Sequence, residues 1–242
     1  MKYDFAVVYF GLTRSVRKTH ESHRKHIFNI LEKENVTYKT FMHTWKTKDN
    51  TQNVWETVIP QKIDYDEYTL LSPHEYRLDD EDDFLHSITM DNYFYKDVWA
   101  EKGHSPDGEW LPKMVSNHLC MLESQKRAFE MVNKQIEKGD TFTYILLIRP
   151  DITIYTDLPV HTILAQHDKV HIPNHSHWAG VNDQVAVLNY EDARMYANRI
   201  NEIADYRKTQ GRIIGEIYCK FILDKYKMNI NQIDFKYCIT RP

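Results

Sequence analysis

Apolar and polar positions change period along this chain, and the changes mark out its elements. Residues 3–10 form a β-rich apolar run ending in Gly11-Leu12-Thr13-Arg14, the pattern of a buried strand leading into a tight turn. Residues 15–34 carry Val16, Ile27, Phe28, Ile30 and Leu31 among Arg, Lys and His, which predicts a helix with a mixed outer face. A second strand is expected at 37–43, ending at His43-Thr44-Trp45. Strand, turn, helix, strand is the opening of an α/β sheet.

The pattern weakens from 46 to 112. Nine acids against one Arg crowd residues 64–83, and Asp79–Asp83 reads as solvated loop. Phe84 to Trp99 is expected as a short helix or lid, and 100–112 as loop. Apolar spacings of three and four return at 113–137, through Met114, Met121, Leu122, Ala128, Phe129, Val132 and Ile136, with Gly139 placed to end the helix. Strands at 143–148, 169–172 and 184–188 follow, then a helix capped by Asn189, a helix at 212–226 and a last strand at 233–239. No repeat or linker breaks the series. The fold class is therefore α/β, one domain over residues 1–242.

Composition narrows the function classes. Lys plus Arg is 31 against Asp plus Glu at 35, which argues against a dedicated nucleic-acid binder. No apolar run approaches the length of a membrane span. The first ten residues read as a strand rather than a signal peptide, and three cysteines without CxxC spacing suit a reducing, cytoplasmic setting.

Three segments carry candidate chemistry. The apolar strand Tyr144–Ile148 runs straight into Arg149-Pro150-Asp151, and ligands gather at such carboxyl ends. Arg149 suits a phosphate and Asp151 suits Mg²⁺ or Mn²⁺, with a surface ion pair as the alternative. The loop from His175 to Gln184 offers Trp178 to stack on a sugar and Gly180 to let the backbone approach a ligand; its Asp183 can accept a proton from a hydroxyl. An ordinary turn is its alternative. Gly11-Leu12-Thr13-Arg14 can hold a base, ribose or phosphate, or be only a turn. It matches neither the dinucleotide glycine pattern nor the Walker pattern. His171, His175 and His177 have a spacing compatible with zinc, without the Cys or Glu partners that usually accompany it.

Taken in order, Phe10-Gly11-Leu12-Thr13-Arg14, His43-Thr44-Trp45, Ile148-Arg149-Pro150-Asp151 and Asn182-Asp183-Gln184-Val185-Ala186 resemble small GT-A-type glycosyltransferases. Those of large DNA viruses of algae and amoebae are nearest in kind. The resemblance implies a Rossmann-like domain with a mixed, mainly parallel sheet flanked by helices. It also implies a nucleotide-diphosphate sugar donor, a glycan or glycoprotein acceptor, and Mn²⁺ or Mg²⁺ held by an Asp-x-Asp element. Here Arg149 replaces the first acid of that element and leaves Asp151 alone.

The resulting expectation is metal-assisted sugar transfer. Gly11, Leu12, Thr13, Arg14, Arg149 and Asp151 would bind the donor, with Asp151 on the metal. Trp178, Gly180 and Asn182 would bind the acceptor, and Asp183 would be the base, with Glu216 the second carboxylate for that role. A sugar-phosphate nucleotidyltransferase and a non-catalytic nucleotide or glycan binder are the alternatives.

Overall fold

The computed structural model describes residues 1–47, 63–93, 112–210 and 213–241. Its opening follows the apolar pattern: β1 (Lys2–Phe10), then α1 (Val16–His23), which continues through one wide turn at Arg24–Phe28 into α2 (Asn29–Lys33), then β2 (Tyr38–Lys46). A turn of 3₁₀ helix at Glu67–Leu71 leads to β3 (Glu75–Asp80) and α3 (Glu81–Ser87). The expectation of solvated loop at Asp79–Asp83 is corrected here. β3 pairs with β2, and Asp79 is neutralised by Arg77 at 2.7 Å and by Arg127, which lets an acid sit in an edge strand. The helix-or-lid expectation is met only by α3, and most of 84–112 lies outside the described residues.

The long helix α4 (Pro112–Glu137) ends at Gly139, whose φ of 97° is left-handed backbone that favours glycine. It is followed by β4 (Thr141–Ile148), β5 (Ile152–Ile154), α5 (Val160–Ala165), β6 (Val170–Pro173) and β7 (Val185–Asn189). Asn189 caps α6 (Tyr190–Ala197) by accepting from the Asp192 amide. Then come α7 (Ile203–Gln210), α8 (Gly215–Lys225), β8 (Ile230–Ile233) and β9 (Tyr237–Ile239). The expected last strand is thus two strands, because Phe235 turns inward between them and only the second pairs with β5.

Seven strands form one sheet in the order β3-β2-β1-β4-β7-β6-β8. All neighbours are parallel except at β7, which runs against both β4 and β6. Helices cover both faces. Phe5, Val7, Tyr9, Leu146, Ile148, Val185 and Val187 pack toward the α1 side, while Ala6, Val8, Ile145, Leu147, Ala186 and Leu188 pack toward α4 and α6. Such two-sided burial explains why these strands read as continuous apolar runs. Tyr9 pairs with Ile148, and Ile148 with Val185. The carboxyl ends of β1 and β4 therefore lie beside the amino end of β7. Among the described residues no helix is long and apolar enough to cross a membrane.

Candidate functional site

At that edge the chain buries charge. Asp151 is 1% exposed and its carboxylate meets two guanidinium groups. Arg149 donates from Nε to Oδ1 at 2.8 Å and from Nη2 to Oδ2 at 2.7 Å. Arg14 donates to Oδ2 from Nε at 3.2 Å and from Nη2 at 3.0 Å. Burial alone would raise the Asp151 carboxyl, but the charges of Arg149 and Arg14 outweigh it and hold it well below the usual range. Backbone anchors fix the corner: Thr19 Oγ1 donates to the Pro150 carbonyl at 2.7 Å, and the Asp151 carbonyl accepts from the Thr240 amide at 2.8 Å.

The turn after β1 splits into different tasks. Gly11, with φ 98°, directs its amide to Ser124 Oγ at 2.8 Å, and the same hydroxyl lies 2.8 Å from His43 Nδ1. Leu12 leans on the cluster around Trp45 and Tyr218, and the Thr13 carbonyl accepts from Val16 at the start of α1. Arg14 is the residue of the four whose side chain joins the charged cluster.

The Asp151 arrangement disagrees with a metal ligand. An ionised carboxylate has about four lone-pair sites; three N–H donors share Oδ2 and one reaches Oδ1, which leaves a single site on a carboxylate that is buried. Among the described residues no three His, Cys, Asp or Glu side chains gather closely enough to hold a metal. The donor set fits an anion, not Mn²⁺ or Mg²⁺. The histidines read as a zinc spacing are likewise engaged apart: His171 with the Gln166 carbonyl, and His175 with the Phe235 carbonyl.

A second group adjoins the first. Asp183, just before β7, is buried against the start of α8, where a Cβ on Gly215 would stand 2.6 Å from its Oδ2. Burial raises the Asp183 carboxyl despite the opposing charges of Arg199 and Arg149. Glu216 is half-buried beside it; burial, and then the Asp183 charge, push it up to about 7. His118 Nδ1 lies 3.9 Å from Asp183 Oδ2, but burial pushes this imidazole down to about 3, so the pair is polar rather than ionic. Asp183 and Arg149 bear on one another's ionisation, and Asp183, Arg149 and Glu216 all bear on Tyr237, so the two groups lie within electrostatic reach.

The acceptor-side expectations separate. Asn182 is fully engaged in holding the loop: Oδ1 accepts from the Gln184 and Val185 amides, and Nδ2 donates to the His175 carbonyl and to Tyr237 Oη. This corrects its expected contact with the acceptor. Gly180 allows close approach to α8, since a Cβ there would lie 2.0 Å from the Glu216 carbonyl oxygen. Trp178 is 74% exposed on a turn where it and Ala179 both have positive φ, 40° and 65°. A large aromatic held outward in strained backbone keeps its face available to a ligand. Sequence reasoning missed Arg199, which is fully buried with Nη1 donating to the Tyr196 carbonyl at 2.8 Å. Its signal was a lone cation between Tyr196 and Ile200 on an otherwise apolar face.

No family model matches the chain, and no curated protein matches it. Among solved structures it is similar to apo mouse xyloside xylosyltransferase 1, at 11% identity over 96% of this chain and 85% of that one, with a TM-score of 0.43. It is also similar to a glycosyltransferase involved in glycosylation of the major capsid of PBCV-1, at 10% identity, 96% and 82% coverage and a TM-score of 0.41. A third likeness is to a nucleotide-diphospho-sugar transferase from Desulfovibrio desulfuricans, at 11% identity, 96% and 80% coverage and a TM-score of 0.40. At these identities activity does not transfer from neighbour to chain.

Proposed function

We propose that the protein is a glycosyltransferase of GT-A type that moves a sugar from a nucleoside-diphosphate donor to a hydroxyl of a glycan acceptor. The observation that carries this reading is the Arg14–Asp151–Arg149 cluster at two strand ends, with the carboxylates Asp183 and Glu216 beside it. Two guanidinium groups brought together at adjacent strand ends suit a diphosphate, whose charge grows as the sugar bond breaks. A carboxylate held near neutrality suits removal of a proton from the attacking hydroxyl.

In this mechanism the arginines hold the leaving diphosphate and stabilise its developing charge. Glu216, the more open carboxylate, accepts the proton at its carboxylate oxygen as the hydroxyl attacks the anomeric carbon. Asp183 raises the proton affinity of Glu216 by its charge. The expected order of the two is thereby reversed, because Asp183 is 6% exposed and packed on Gly215. Trp178 offers a face on which an acceptor sugar can stack.

Incubation with a panel of labelled nucleotide sugars tests the reading. Release of nucleoside diphosphate, faster with a glycan acceptor than without, is the expected result. Failure to turn over every donor, with or without acceptors, would leave a non-catalytic binder.

A further inference from the structure

We propose that this site takes the donor diphosphate without a divalent cation, Arg14 and Arg149 together standing where a metal ion would. The inference rests on the reading of the site as one for a nucleoside-diphosphate sugar and concerns how that group is held.

Lone-pair accounting comes first. The Asp151 carboxylate takes three N–H donors on Oδ2 and one on Oδ1 and is 1% exposed, so the one lone pair left on Oδ1 is shut away from a cation in solvent. The arginines are in the opposite state. Each guanidinium has five N–H donors and directs two at Asp151, which leaves three on each for another acceptor. Their side chains are 10% and 20% exposed against 1% for the carboxylate, so an anion from solvent reaches the arginines before Asp151.

Charge points the same way. Two cations against one anion leave the cluster positive. The charge of Asp183, which also bears on Arg149, is opposed by that of buried Arg199. A divalent cation would enter against two guanidinium charges, whereas a diphosphate enters with them. The geometry is also prepared. Arg14 follows β1 and Arg149 follows β4, strands in register through Tyr9 and Ile148, so two arms from adjacent strand ends converge on one carboxylate. Asp151 is thus a positioning residue: it locks both planar forks in place before the ligand arrives, which lowers the ordering cost of binding.

Calorimetric titration of the full chain with ADP, GDP, UDP, CDP and inorganic pyrophosphate, in excess EDTA and again in saturating Mn²⁺, tests this. The expected result is that the tightest of these ligands binds in EDTA with an affinity within about threefold of that in Mn²⁺. Arg14→Lys and Arg149→Lys should each weaken it about tenfold, since lysine keeps the charge and loses the fork. Binding that appears only with Mn²⁺, or tightens about tenfold or more with it, would overturn the cation-free clamp and leave the proposed transfer standing. If the folded protein binds no diphosphate under either condition, the clamp and the diphosphate reading fall together.

Discussion

Gly180 and Glu216 meet backbone to backbone. The Glu216 carbonyl accepts from the Val181 amide at 2.8 Å, and a Cβ on Gly180 would overlap that carbonyl at 2.0 Å. The loop before β7 therefore sits directly on the start of α8, and the spacing between Asp183 and Glu216 depends on a side chain that is absent.

Gly180→Ala should for that reason damage both stability and chemistry. No rotamer relieves an overlap between a Cβ and backbone, so the loop must lift from α8 and strain the Val181–Glu216 bond. A loss on the order of 1–3 kcal/mol is expected. Urea unfolding of the variant measures it, and unchanged stability would show that the loop yields at no cost.

Arg149→Ala and Arg14→Ala should each weaken nucleoside diphosphate binding. A charge-assisted contact of this kind contributes roughly 1.5–3 kcal/mol, about tenfold or more. Titration of each variant with the best diphosphate checks the prediction, and wild-type affinity in either would remove that arginine from the site.

Transfer should follow the protonation of Glu216. As the base it must be ionised, so kcat/KM should fall about tenfold per pH unit below its value of about 7. Asp183→Asn removes the second cause of that elevation, and the acidic limb should move to lower pH. Glu216→Gln should cut transfer by on the order of 10² to 10⁴. A pH–rate profile of Asp183→Asn that coincides with wild type would return the base role to another group.

Trp178→Ala should raise KM for a glycan acceptor and leave diphosphate affinity unchanged. With most of its surface in solvent, the indole supports little of the fold, so unfolding should be nearly unaffected. An unchanged acceptor KM would make Trp178 a bystander.

His23 should make stability fall in acid. Its ring lies between Tyr9 Oη at 3.1 Å and the Ile152 carbonyl at 3.0 Å, and burial pushes it down to about 4. The unfolded chain takes up a proton near pH 6.5, so this contribution is complete above that value and is lost as pH falls toward 4. The loss amounts to about 2 kcal/mol between neutral pH and pH 5. His23→Gln should lack this part of the slope. Equal slopes in wild type and variant, by urea unfolding at the two pH values, would refute it.

The elements that were legible in the sequence are those buried on both faces or along one clear stripe. β1, β4 and β7 read as apolar runs and α4 as a repeat of three and four, because burial leaves few substitutions to blur the period. β3 was not legible. It is an edge strand whose Asp79 is neutralised by Arg77 of the same strand and by Arg127 of α4, and the second partner is remote in sequence, so no local pattern announces it. The same limit applies to the site. Arg149 and Asp151 stand out at a strand end, but the bond from Arg14 to Asp151 spans the interval between two strands, and no local pattern announces it. Asn182 and Gly180 were expected at the acceptor, whereas the contacts the fold gives them are with Tyr237 and α8, which lie far along the sequence.

The reversed direction of β7 makes the sheet a ruler for the chemistry. Because Val185 pairs with Ile148, the residue two places before β7 is measured against the residues just after β4. Sliding β7 by one position would carry Asp183 about 3.3 Å along the strand. The same slip would drive Ala186 and Leu188 into the α1 side and Val185 and Val187 into the α4 side. Two cores of different shape thus hold the reading of that ruler, and an error in alignment is rejected by packing before it can reach the site.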